Sequence, residues 1–403
     1  MRGLRPRSPR TTVVTRIPSR SHEEPSIPTR QFPTTDALRR LLIVVGPTAG
    51  HVYPALAIAE AYRLATGTSV DVRFAGPVDG PAARLLAGRG LTLEPISASP
   101  LVNVGARGKL AALPRVAAGM AQARRLMRAH GTRLVIGLGG YASGAVLLAA
   151  RALGARVAIH EANVVPGLAN RLAAPFVHRV YLGFAAAAVS FPARRRLVTG
   201  HPVRADIAAL AREPRQAPER GRAARVLVLS STRGAPFLAM RVPALLAELE
   251  RRGIAVEALH QSGEVPPDDV AHAYRRAGVK ASVASYVDEI AGAYRWADLV
   301  IARSGAGTVA EAAVAGVPAL FVPLADASDD HQAANAAAVA AAGAGVSVRE
   351  RDWRGDALAA RLTTLLGDAG AWTAASEAAR RMAAPDAAAR IVADCETLMA
   401  GRW

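Results

Sequence analysis

Twice along this chain a short apolar run ends in a small-residue loop that opens into a helical pattern. This alternation restricts the fold more than any other feature. Leu41-Leu42-Ile43-Val44-Val45 is the first run, and further strands are predicted at Val70–Phe74, Leu134–Gly137, Arg156–His160 and Arg179–Leu182. The pattern restarts at Val226–Leu229 and continues through Val256–His260, Leu299–Ala302 and Ala319–Val322. Continuous apolar runs separated by helical periodicity argue parallel sheets covered on both faces. Pro54 is expected to open a helix over Ala55–Arg63 at the first helical position, where proline is tolerated. The fold class is therefore α/β: two Rossmann-like, doubly wound halves, residues 37–203 and 204–384, facing across a cleft. In such sheets ligands sit beyond the carboxyl ends of the strands.

Composition removes several alternatives. The chain has 403 residues, of which 51% are apolar and 20% charged, which excludes a mainly disordered protein. Its one cysteine, Cys395, excludes an intramolecular disulfide or a cysteine-rich zinc module. The uncharged stretch Leu134–Ala150 is short and carries four glycines, so it reads as strand, loop and helix rather than a bilayer span. Residues 1–36 hold seven arginines, three acids and six prolines without apolar periodicity, and are expected to form a disordered basic tail. The net charge of +18 comes almost wholly from arginine and favours anionic partners. Aromatic residues make up only 4% and no nucleic-acid motif is present, so nucleic acid is not the expected partner.

The chemistry-bearing residues fall in the loops. Gly46-Pro47-Thr48-Ala49-Gly50-His51 follows the first strand and fits neither G-x-G-x-x-G nor the Walker pattern, so neither a nicotinamide cofactor nor ATP is expected. A lone histidine is commonly structural, but at the tip of this strand–loop–helix turn His51 is expected to face the cleft and is a candidate general base. Gly137-Leu138-Gly139-Gly140-Tyr141-Ala142-Ser143-Gly144 is a second such loop, and His160-Glu161-Ala162-Asn163 puts polar side chains at the same edge. In the second half, Arg303-Ser304-Gly305-Ala306-Gly307-Thr308 precedes a helix whose amides suit a diphosphate, with Glu311 one turn on to accept ribose hydroxyls. Asp329-Asp330-His331-Gln332 and Asn335 form a polar cluster without metal-ligand spacing, so no metal is expected. Between Gly105 and His130 lie six basic residues and no acid. Pro114 is expected to open a helix there, with Leu113, Val116, Met120, Ala123 and Met127 at apolar spacing. Such a stretch is either a solvated surface helix or a surface that rests on anionic lipid.

Taken in order, these loops resemble those of the MurG family, peripheral membrane glycosyltransferases that add N-acetylglucosamine to lipid I to form lipid II of peptidoglycan. The likeness runs from about Leu41 to about Ala389. It also includes Gly50-His51-Val52-Tyr53-Pro54, Gly200-His201-Pro202-Val203-Arg204, His260-Gln261-Ser262-Gly263, Tyr286-Val287-Asp288 and Gly316-Val317-Pro318. The resemblance implies a GT-B fold in which a last helix, at about 385–403, crosses back to the first domain. It implies an inverting, metal-independent transfer from UDP-N-acetylglucosamine, with no cofactor, on the inner face of the bacterial cell membrane. By carry-over, Val287 contacts uracil and Glu311 the ribose, while Thr232, Arg303, Ser304, Ala306, Gly307 and Thr308 surround the diphosphate. His331 and Gln332 read the sugar, and Arg204 and Asn163 also lie against the donor. Thr48, Ala49, Gly50, His51, Gly139, Gly140, Tyr141, Ser143 and Glu161 receive the polyprenyl diphosphate and acceptor sugar. Lys109, Leu113, Arg115, Val116, Met120 and Arg124 form the membrane patch. Pro47 and Ala49 replace glycines of the family's first loop, Ser230 and Ser231 replace two more in the second half, and Ala162 replaces a glutamine. Those changes keep open a second reading, the same fold acting on a different polyprenyl-phosphate or natural-product acceptor. A third is a scaffold that binds nucleotide sugar without turnover.

Overall fold

The computed structural model describes residues 40–66, 71–97, 106–230, 235–324 and 330–401, leaving aside the side chains of 106–113 and 141–142. The tail expected at 1–36 and Thr232 lie outside the described residues. Seven parallel strands build the first sheet: β1 (Arg40–Val44), β2 (Asp71–Gly76), β3 (Leu93–Pro95), β4 (Leu134–Gly137), β5 (Arg156–Glu161), β6 (Arg179–Leu182) and β7 (Arg196–Val198). Its order is β3-β2-β1-β4-β5-β6-β7. The second sheet has β8 (Ala224–Leu229), β9 (Val256–Gln261), β10 (Lys280–Ala284), β11 (Leu299–Ala302), β12 (Ala319–Phe321) and β13 (Gly345–Ser347), in the order β10-β9-β8-β11-β12-β13. Four of these strands, β3, β7, β10 and β13, were not expected from the apolar runs, and each is a sheet edge.

The connecting helices are α1 (Ala49–Thr66), α2 (Pro81–Ala87), α3 (Ala106–His130), α4 (Tyr141–Ala152), α5 (Leu168–Ala173) and α6 (Ala205–Ala209). They continue as α7 (Pro236–Arg251), α8 (Pro267–Ala277), α9 (Ile290–Trp296), α10 (Ala306–Ala315), α11 (His331–Ala341), α12 (Gly355–Gly367), α13 (Ala369–Met382) and α14 (Ala387–Met399). Two starts differ from expectation. Pro54 lies inside α1, which begins at Ala49, and Pro114 lies inside α3. Near the start of α1 the ring removes only one intrahelical bond, to the Gly50 carbonyl. The first turn is closed instead by the His51 N–H on the Thr48 carbonyl at 3.1 Å.

Alternation along β1 divides the core. Leu41, Ile43 and Val45 enter one cluster with α1, and Leu42 and Val44 enter the cluster on the opposite face, as the two-residue strand period requires. Ile391, Val392 and Cys395 of α14 join the α1 side, so the last helix packs on the first sheet. Polar contacts fix that docking: Arg179 Nε lies 2.7 Å from Asp394 Oδ2, which also accepts from the Tyr181 hydroxyl at 3.0 Å. Both sheets reverse direction between their first and fourth strands, β1 and β4 or β8 and β11. The loops after those strands are therefore where a doubly wound fold opens a crevice.

Candidate active site

On the first sheet, the two loops at the reversal point close around one imidazole. A Cβ built on Gly46 would lie 2.7 Å from His51 Nδ1, and one on Gly139 3.5 Å from His51 Nε2. Gly139 and Gly140 have φ of 91° and 82°, a region that disfavours any side chain. A Cβ on Gly140 would come within 3.1 Å of Gly46 Cα. The Thr48 hydroxyl lies 2.8 Å from His51 Nδ1, and loss of solvation lowers the His51 pKa to about 4, so the ring is neutral. When Nδ1–H donates to Thr48 Oγ1, Nε2 is left as a proton acceptor. Ala49, in place of a family glycine, lies within α1, and Asp330 is the one non-glycine with positive φ among the described residues. The replacement therefore carries no backbone strain. Gly50 occupies the next position in that first turn.

Two side chains expected to meet the acceptor are engaged by the protein itself. Ser143 is buried and donates to the Gly139 carbonyl at 2.7 Å, holding the loop. The buried Glu161 carboxylate accepts from the Asn163 backbone N–H (2.9 Å) and Nδ2 (3.3 Å), the Gly167 N–H (3.0 Å) and Asn170 Nδ2 (2.8 Å). Tyr141 opens α4, and its side chain is outside the described set. Asn163 reaches across the cleft: its Oδ1 accepts from Asn335 Nδ2 at 3.0 Å, while Asn335 Oδ1 accepts the Val164 N–H at 3.0 Å.

On the second sheet, Gly305 caps α10 without a side chain, leaving the first-turn amides of Ala306, Gly307 and Thr308 without a capping acceptor. Ser304 is turned away, donating to the Gln332 carbonyl at 2.8 Å. Arg303, expected beside the diphosphate, is instead buried. Its guanidinium donates to the Val322 and Pro323 carbonyls at 3.1 and 3.2 Å and pairs with Glu350. Buried carbonyls capture it because each needs a donor. Glu311 lies 3.8 Å from Arg204 and accepts from the Tyr294 hydroxyl at 3.1 Å. Burial outweighs both contacts and raises its pKa to about 7. The Val287 N–H donates to Gln261 Oε1 at 3.1 Å, fixing that backbone. Gln332 Oε1 accepts the Leu324 N–H at 3.0 Å, and His331 opens α11 beside it.

Residues outside the expected set also bridge the cleft. The Tyr53 and Tyr286 hydroxyls meet at 2.6 Å, and Arg204 covers the Tyr53 ring at 4.7 Å. Both tyrosines stand in the quoted motifs, but only the three-dimensional fold pairs them. Among the described residues no three His, Cys, Asp or Glu converge as a metal-ligand set. On α3, Ala123 and Met127 belong to the core, Val116 and Met120 are half-buried, and Arg115 and Arg124 are exposed. Arg124, Arg125 and Arg128 line a surface hollow with Ala121. Lys109 and Leu113 lie on α3 with side chains outside the described set. No described helix is long and apolar enough to cross a membrane.

Two parallel, Rossmann-like sheets with glycine-bearing loops at both reversal points define a two-domain GT-B architecture. Residues 41–182 match the glycosyltransferase family 28 N-terminal domain and residues 225–391 its C-terminal domain. The UDP-N-acetylglucosamine–N-acetylmuramyl-(pentapeptide) pyrophosphoryl-undecaprenol N-acetylglucosamine transferase of Geobacter metallireducens is 37% identical, covering 89% of this chain and 98% of the relative. The enzyme of the same name from Halorhodospira halophila is 41% identical, covering 91% and 100%. The crystal structure of Acinetobacter baumannii MurG is similar at a TM-score of 0.72 and 29% identity, covering 89% of this chain and 99% of that one. The kitacinnamycin glycotransferase, at 18% identity and a TM-score of 0.62, shares the fold. The chain belongs to the MurG family.

Proposed function

We propose that this chain transfers N-acetylglucosamine from UDP-N-acetylglucosamine to lipid I, forming the β-1,4 linkage of lipid II with inversion and without a divalent cation. The observation that carries the reading is the pairing of a neutral His51 at one reversal point with an uncapped helix start and Glu311 at the other. In this reading the acceptor hydroxyl oxygen attacks the anomeric carbon, the bond from that carbon to the diphosphate oxygen breaks, and the hydroxyl proton passes to His51 Nε2. A base with a pKa near 4 is weak. The lipid diphosphate brought against Thr48, Gly50 and the Gly139–Gly140 loop raises it, because a nearby anion favours the charged imidazolium. The amides of Ala306, Gly307 and Thr308 meet the charge developing on UDP, a preorganised contribution that strengthens as the bond breaks. With Arg303 held by carbonyls and Glu350, those amides take the role expected of its guanidinium. Glu311 accepts the ribose hydroxyls, and the Val287 backbone, held by Gln261, meets the uracil. Arg204, Asn163, His331 and Gln332 frame the sugar. Glu161 and Ser143 hold the loops that touch the acceptor.

The acceptor domain spans 37–203 completed by α14, and the donor domain 204–384. The basic face of α3 rests on the anionic inner face of the cell membrane. Its neighbours support this: Leu148, Leu172 and Phe176 are exposed on α4, α5 and the turn that follows α5, and α4 packs against both α3 and α5. Apolar side chains beside arginines suit a headgroup surface. The test is a mass-spectrometric transfer assay with UDP-N-acetylglucosamine and a short-chain lipid I analogue in EDTA. One added N-acetylhexosamine is expected. Absence of product from protein that binds UDP refutes the acceptor assignment.

A further inference from the structure

His201 stands in the connection between the two halves, and the reading above gives it no part. Its ring is 5% exposed and tilted against His160 at a centroid distance of 5.2 Å. The backbone beside it is held rigidly. Gly200 has φ of 84°, and a Cβ there would lie 2.1 Å from the Ala384 Cβ. The Gly200 carbonyl accepts from the Thr199 hydroxyl at 3.0 Å and faces His160 Nε2 at 3.4 Å.

Its two nitrogens differ. Nδ1 is enclosed with no hydrogen-bond partner among the described residues. Nε2 faces the first turn of α10, where a Cβ on Gly307 would lie 3.7 Å away. A proton on Nδ1 would leave a buried donor unmade, which is rarer and costlier than a bare acceptor. The neutral ring therefore carries its proton on Nε2. That N–H joins the uncapped amides of α10, and Gly305 brings no side-chain acceptor among them. Donors converging without an acceptor call for an anion.

We propose that His201 donates a hydrogen bond from Nε2 to the diphosphate of the nucleotide sugar and stabilises it as the leaving group. This rests on α10 being the diphosphate site. As the bond between the anomeric carbon and the diphosphate oxygen breaks, its electron pair moves onto that oxygen and the hydrogen bond strengthens. Burial keeps the ring neutral, so the hydrogen bond comes from the Nε2–H of an uncharged imidazole and needs no proton on the enclosed Nδ1.

The test titrates UDP and uridine into the full-length wild type, His201→Phe and His201→Gln, with kcat and KM for UDP-N-acetylglucosamine in parallel. A lost hydrogen bond to a charged group predicts that His201→Phe weakens UDP about tenfold or more and leaves uridine unchanged. His201→Gln, which keeps an N–H donor, recovers part of the difference. Unchanged UDP affinity, or equal losses for UDP and uridine, overturns the assignment. If the phenylalanine variant does not fold, His201→Leu reads the same ratio. Failure of the wild type to bind UDP refutes the donor-site reading itself, and it shows before any substitution is made.

Discussion

Glu311 gives the site a pH dependence whose size follows from its surroundings. The carboxylate is largely buried, with Arg204 at 3.8 Å and the Tyr294 hydroxyl at 3.1 Å to offset lost solvation, and Asp206 adds a repelling charge. Its pKa rises from 4.5 to about 7. Only the ionised form accepts from both ribose hydroxyls. With that pKa, the binding-competent fraction is about one in eleven at pH 6 and about ten in eleven at pH 8, so nucleoside affinity is about tenfold weaker at the lower pH. The probe is uridine, which has no phosphate to titrate, measured by calorimetry at both pH values. Glu311→Gln flattens the dependence. The same shift acts on stability with the opposite sign. The folded group holds its proton to higher pH than the unfolded one, so stability falls as pH rises between 4.5 and about 7, by about 3 kcal/mol at most. A uridine affinity independent of pH in the wild type refutes the argument.

Three further outcomes follow from the geometry. His51→Ala lowers kcat by about 10²- to 10⁴-fold, the usual span for a general base, and leaves UDP affinity unchanged; equal losses in both measurements would sink the base assignment. Asn335→Asp replaces an amide that donates to Asn163 Oδ1 and the Ser304 carbonyl at 3.0 and 3.1 Å. The new oxygen faces two acceptors, so chemical denaturation shows a loss of about 2–4 kcal/mol, one to two unsatisfied buried groups. Arg124→Glu with Arg128→Glu weakens sedimentation with anionic vesicles by at least about 1 kcal/mol per residue, while transfer to a detergent-dispersed acceptor stays at the wild-type rate.

What the sequence makes legible follows from how each element is stabilised. The interior strands are buried on both faces, so β1, β4, β6, β8 and β11 read directly as apolar runs, with ends within two residues of those observed. Edge strands answer to fewer neighbours. Arg196-Leu197-Val198 and Lys280–Ala284 carry charge and partial exposure, and pairing alone makes them strands, a contribution no local pattern records. The site divides in the same way. Glycines whose spacing depends on their own loop were identifiable: Gly139 and Gly140 need positive φ whatever else surrounds them. Side-chain partners were not, because Arg303 and Glu161 meet residues distant in sequence or backbone groups whose direction depends on the turn. Arg303 read as a diphosphate ligand since a cation beside a helix start suits an anion. Its position against the Val322 and Pro323 carbonyls instead depends on strand β12 lying beside β11. A charge in a loop thus fixes the chemistry available there, while the sheet order decides whether ligand or protein receives it. His201 marks the converse: its surroundings provide no partner for Nδ1 and place Nε2 at a helix start, an arrangement visible only once both halves are folded.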